Sequence, residues 1–164
     1  MNPCGSALAE LPFGGWTFDY AVYERPRLGR EVFRPVVPVS LGPGFRRGTV
    51  GLVDSGSEHT LASRELADDM GLDLRGSRRL QLGIGGRSAE AVFAHVEIRL
   101  YRDHSEDDFV DWFADVGFLD PWDAEFFVIL GQIGFFDEFT VSMNRRLLAV
   151  HIDHPEVLLD RIRP

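Results

Sequence analysis

Between residues 92 and 100 apolar side chains occupy every second position, Val92, Ala94, Val96, Ile98 and Leu100. That is the period of a β-strand with one face turned inward. The longer segment 78–101 (RRLQLGIGGRSAEAVFAHVEIRLY) reads as two strands around a glycine-rich tip, Gly83-Ile84-Gly85-Gly86, hence as a long hairpin. Residues 16–23 (WTFDYAVY) alternate in the same way ahead of the Pro, Gly and charge of ERPRLGRE, predicting a strand, a turn and a first hairpin. VFRPVVPVSL (32–41) is β-branched but interrupted by Pro35 and Pro38, which cannot donate to a ladder, so an edge strand is expected, with a turn at GPGF.

GTVGLVD (48–54) is a short apolar run without helical period that delivers Asp54 onto a tight Asp-Ser-Gly-Ser loop. Helical spacing appears next: Ser63 precedes Leu66, Ala67 and Met70, and Gly71 supplies a left-handed cap, predicting one helix over about 63–70. The acid-rich stretch 102–125 carries Phe109, Trp112, Phe113, Phe118 and Trp122, too many aromatics for a disordered linker, and reads as a loop plus a strand near 110–116. FFVILG (126–131) repeats the pattern of an apolar strand ending in Gly. FFDEF then forms one helical turn, and TVSM and RLLAVHI are closing strands.

Composition agrees with a mostly β chain, since 13 Phe suit pleated surfaces and 17 Gly suit turns. At 164 residues with 45% hydrophobic positions, a single domain over 1–164 is expected, its core at about 16–152 behind an extension, 1–15. The formal net charge of −9 disfavours a phosphate-neutralising surface, so no nucleic-acid partner is expected. No run approaches the roughly 20 apolar residues of a membrane span, and MNPCGSALAELPFGG lacks a basic then apolar leader, so no membrane partner and a cytoplasmic location are expected. The lone Cys4 offers neither an internal disulfide nor Cys/His spacing for zinc.

The two strand ends GLVDSGSEHTLAS and FVILGQIGFFDEFTVSMN together resemble the retropepsin-like aspartic proteases, the family of retroviral proteases and their bacterial single-lobe relatives, over about residues 48–152. The family's Asp-(Thr/Ser)-Gly-(Ala/Ser) is matched by Asp54, Ser55, Gly56 and Ser57, and its later apolar-apolar-Gly by Ile129, Leu130 and Gly131. The Gly83, Ile84, Gly85 and Gly86 tip falls between them, where the family places the flap that closes over substrate. The resemblance implies a closed acid-protease barrel with one short helix after the Asp loop, a helical turn near 132–138 and a flap hairpin.

It also implies chemistry. Peptide hydrolysis by this route needs two carboxylates sharing one proton, one ionised to activate water and one protonated to donate to the scissile carbonyl. With a single Asp-Ser-Gly here, the resemblance implies a homodimer with one catalytic Asp54 per subunit, no metal, no cofactor, and a peptide or protein substrate. Gly56 would turn the backbone, Ser55 would bond across the dimer axis, Ser57 would add a hydroxyl near Asp54, and Ile129, Leu130 and Gly131 would be structural. The flap glycines and Ile84 would contact an extended substrate by strand addition. The pair would titrate in two macroscopic steps, favouring activity at acidic to near-neutral pH. Gln132 stands where the family often has Arg.

Plainer readings compete with each of these. Asp-Ser-Gly is ordinary turn chemistry, and the glycine tip can be only a hairpin turn. An Asp-Ser-Gly of the trypsin-like kind needs a catalytic His upstream, and the first His is His59. His59, beside Glu58, reads as a solvated loop residue, and His151, Asp153 and His154 as a solvated C-terminal end rather than a metal set. Phe126 to Leu130, with Phe135, Phe136 and Phe139, read as core. The alternative function is a catalytically silent retropepsin-fold dimeric module for peptide binding or assembly; metal-assisted hydrolysis would need converging His and acidic groups.

Overall fold

A computed structural model describes residues 15–25, 29–42, 49–84, 86–103, 107–156 and 158. Twelve strands and one helix follow in order among them: β1 (Trp16–Asp19), β2 (Ala21–Arg25), β3 (Arg30–Arg34), β4 (Val36–Leu41), β5 (Val50–Val53), β6 (Leu61–Ser63), α1 (Arg64–Asp69), β7 (Arg78–Ile84), β8 (Arg87–Tyr101), β9 (Phe109–Leu119), β10 (Val128–Leu130), β11 (Thr140–Asn144) and β12 (Ala149–Asp153). The mostly β expectation holds, and the strand read near 110–116 runs longer, over 109–119. Cys4, most of the expected extension and the GPGF turn beyond Gly42 lie outside the described residues.

Six strands close on themselves in the order β4-β5-β10-β6-β9-β8, with β4 pairing back to β8; β7 continues outward from β8. Beside this barrel lie a three-stranded sheet, β1-β12-β11, and the separate β2-β3 hairpin. Alternation along β8 and β9 builds the interior. Val96, Ile98 and Leu100 face Val110, Trp112, Val116 and Phe118, all 5% exposed or less. Each such side chain contributes roughly 1.5–3 kcal/mol by leaving water. The opposite side of the same strands forms a smaller cluster of Leu61, Ala91, Phe93 and Leu119.

β4 corrects the expectation of an edge strand. It pairs with β5 from Val36 to Pro38 and with β8 from Val39 to Leu41, so it seals the barrel. The Val39 N–H donates to the Thr49 carbonyl at 3.1 Å, on the β5 side. Backbone amides alternate, so the Pro38 nitrogen points to the other side, where the β8 ladder begins one residue later. Its missing donor costs no ladder bond.

The helix follows its sequence signals. The Ser63 side chain accepts from the Leu66 amide, Leu66 and Ala67 are buried, and Gly71 follows at φ +67°. Among the described residues no helix is long and apolar enough to cross a membrane.

Candidate active site

β5 and β10 lie parallel at the centre of the barrel wall, with Leu130 in register with Val53. The ladder runs one residue beyond β5, because the Asp54 amide donates to the Leu130 carbonyl at 3.0 Å. The chain then turns sharply. The Gly56 amide donates to Asp54 Oδ1 at 2.9 Å, and the Ser57 amide donates to the Asp54 carbonyl at 3.1 Å. An Asp side chain that takes the amide two residues on builds this turn unaided. A Cβ at position 56 would stand 3.2 Å from that carboxylate oxygen, so Gly leaves room for it.

The segment after β10 zips onto this loop. Gln132 and Ile133 amides donate to the carbonyls of Ser57 and Glu58, and the Thr60 amide donates to the Ile133 carbonyl, all at 2.9 Å. Gly131 sits at the crossing: a Cβ there would collide with the His59 carbonyl, and its amide donates to buried Thr60 Oγ1 at 3.2 Å. From below, Trp112 Nε1 donates to the Gly134 carbonyl at 2.7 Å, and Phe135 is fully buried against Trp112 and Phe139. FFDEF makes its single turn here, the Phe139 amide donating to the Phe135 carbonyl at 3.0 Å. Asp54, Ser55, Gly56, Ser57, Ile129, Leu130 and Gly131 thus meet in one place, with Asp54 half-buried and Ser55 and Gly56 exposed. The Ser57 hydroxyl donates to the His59 carbonyl at 2.7 Å.

The glycine tip belongs to the β7-β8 hairpin. Gln81 to Ile84 pair with Arg87 to Glu90, beyond the point where β9 stops pairing with β8 at Ala91, so the backbone ladder at the end of the hairpin is only its own, while Leu82 and Ala89 pack against the Leu61, Ala91, Phe93 and Leu119 cluster. Gly83 and Gly86 have open space around them, Gly86 at φ +79°; Gly85 lies outside the described residues.

Between hairpin and barrel lies a cleft of about 400 Å³ walled by Ile84, Ala89, Leu119, Trp122 and Ile129, with Arg87 and Asp123 at its border. Asp54 is not in its lining. Ile129 reaches the cleft because β10 buries Val128 and Leu130 in the barrel and turns Ile129 to the other side. Trp122 is steadied by donating from Nε1 to the Phe126 carbonyl at 2.8 Å. Sequence reasoning left Leu119 and Trp122 without a role; an aromatic set among Pro and Asp in DPWD was the available signal.

Two histidine readings are corrected. The His59 side chain is 11% exposed against 80% for Glu58, and its ring packs edge-on against Phe93 at 5.1 Å. It is a packing residue, because the Ile133 bridge draws the loop inward. His151 accepts or donates at 2.8 Å with Thr17 in an exposed bond and lies 3.5 Å from Asp153, which is 4% exposed, so this end is a cross-strand polar network, solvated at His151 and buried at Asp153. Among the described residues no group of three or more His, Cys, Asp or Glu is placed to hold a metal. Phe127 departs from the core reading at 42% exposed.

No protein-family model and no curated protein matches the chain. Among solved structures it is similar to the retroviral protease-like domain of Ddi1 from Leishmania major, at 17% identity and a TM-score of 0.47 over 74% of this chain and 90% of that one. It is also similar to a retropepsin-like aspartic protease from Rickettsia conorii, at 12% identity and a TM-score of 0.45 over 85% of this chain and 94% of that one.

Proposed function

We propose that the protein is an aspartic endopeptidase that works as a homodimer, each subunit supplying Asp54 to a shared site. The observation that carries this reading is the crossing of the Asp54 loop with Ile129-Leu130-Gly131, which presents a half-buried carboxylate, held by the Gly56 amide, on a braced loop. One carboxylate alone does half of the chemistry. With a second copy the two Asp54 groups share a proton: the ionised one takes a proton from water as the oxygen attacks the scissile carbonyl, and the protonated one donates to the carbonyl oxygen. On collapse of the tetrahedral intermediate the C–N bond breaks as the carboxyl that took the water's proton passes it to the leaving nitrogen, and the other carboxylate recovers a proton from the gem-diol hydroxyl, which restores the shared pair. The Ser55 hydroxyl, exposed beside Asp54, faces the partner in this reading.

The cleft supports an extended peptide as substrate. Its walls are mostly apolar and its size suits a large aliphatic or aromatic side chain of the peptide. The overhanging end of the β7-β8 hairpin offers backbone groups for strand addition to the peptide.

Cleavage of a diverse peptide library between about pH 4 and 7, with wild type and Asp54→Asn compared and sedimentation run alongside, tests the reading. Cleavage by a dimer, abolished in a variant that still folds, is expected. A folded dimer that binds peptides without cutting them would move the assignment to a silent binding module, and a strict monomer would remove the two-carboxylate site.

A further inference from the structure

The peptide unit joining Ser55 to Gly56 is gripped on both sides. Its N–H donates to Asp54 Oδ1 at 2.9 Å, and its carbonyl accepts from Gln132 Nε2 at 2.8 Å. Both groups lie on one planar amide, so a bond that fixes the carbonyl also aims the N–H. Hydrogen bonds in such a chain polarise one another, strengthening the donor that meets the carboxylate. Gln132 is itself anchored, its amide donating to the Ser57 carbonyl at 2.9 Å and its carbonyl accepting from the Asp137 amide at 3.2 Å.

We propose that Gln132 is a positioning residue for Asp54: through the Ser55–Gly56 peptide its side-chain amide sets the direction and strength of the hydrogen bond on the Asp54 carboxylate. The catalytic importance of this control rests on the reading of Asp54 as half of a shared acid pair, whereas the control itself is readable in the carboxyl group without any cleavage. Other charged groups near the crossing are Glu58 and His59 on the Asp loop, Asp137 and Glu138 on the turn that follows Gln132, and Arg34 beside Pro35, whose carbonyl accepts from the Val53 amide. Replacing Gln132 by another neutral residue leaves all of them unchanged, so a change in the Asp54 carboxyl signal reports the lost amide bond.

The test follows the Gly56 amide and the Asp54 carboxyl carbon by NMR in wild type and in Gln132→Met, which keeps the length, adds no charge and removes the donor. In Gln132→Met the Gly56 amide proton is expected to move upfield as its bond to Asp54 Oδ1 weakens, and the Asp54 carboxyl carbon resonance to move with it. Gly56 amide exchange should quicken several-fold in the same variant. Unchanged Gly56 and Asp54 resonances with unchanged Gly56 exchange would overturn the proposal, as would a loss of thermal stability without any change in those resonances, which would make Gln132 a loop brace only. Absence of cleavage in the wild type would overturn the proposed activity and leave the carboxyl measurement decisive for Gln132.

Discussion

The Asp54 loop and the tip of the β7-β8 hairpin are both glycine-bearing turns at the end of a strand, yet they are held in opposite ways. The loop is stitched to the segment after β10 by backbone bonds from Gln132, Ile133 and Thr60 and stands on buried Phe135. The hairpin tip bonds only across itself, around glycines with nothing nearby. A carboxylate that must be aimed needs the first arrangement. In the proposed function the hairpin end would have to move to admit a peptide, and the second arrangement suits that, since segments held by few bonds open at low free-energy cost.

Glycine substitution separates the two most sharply. Gly131→Ala drives a Cβ into the His59 carbonyl and is expected to cost about 3 kcal/mol in chemical denaturation. Thr60→Val strips the buried acceptor from the Gly131 amide and should cost about 2 kcal/mol by the same measurement. At the tip, Gly86→Ala should cost about 1 kcal/mol for its left-handed backbone, and Gly83→Ala should leave stability unchanged or slightly raised. Equal losses at 131 and 83 would erase the contrast.

The smallest expected effect concerns Glu138, on the turn under the loop. Burial, with the neighbouring charge of Asp137 adding to it, raises its carboxyl above the ordinary value of 4.5. A raised acid binds its proton more tightly in the folded state, so its contribution to stability is greatest below about pH 4.5 and is lost as pH rises through the folded value. Glu138→Gln should therefore stabilise the protein at pH 7, by less than about 0.5 kcal/mol because the group is partly solvated, and the difference should vanish at low pH. Thermal melts of both proteins across pH check the sign.

Much of this was legible in the chain itself. The alternation in residues 92–100 and the Ser63 cap with Gly71 are local signals, and their physics is local, whereas the pairing of Asp-Ser-Gly with Ile-Leu-Gly was legible only through the family resemblance. What escaped depends on contacts between distant segments. Pro38 looks like an edge residue until the switch of partners from β5 to β8 is known. His59 looks solvated until the Ile133 bridge brings its ring onto Phe93. Gln132, noticed only as a missing arginine, acquires a role because folding brings it 2.8 Å from the carbonyl of a residue 77 positions earlier. Trp122 is similar: nothing in its neighbours along the chain says that Ile84 will close the other side of the cleft.

The central claim, one Asp54 from each of two subunits in a single site, is tested most directly by mixing. Wild type and Asp54→Asn chains, unfolded and refolded together in equal amounts, should leave only about a quarter of the dimers with two intact carboxylates, so activity per wild-type chain should fall to about half that of wild type refolded alone. Activity per wild-type chain that stays constant as Asp54→Asn is added, or cleavage that persists in Asp54→Asn alone, would contradict the shared site.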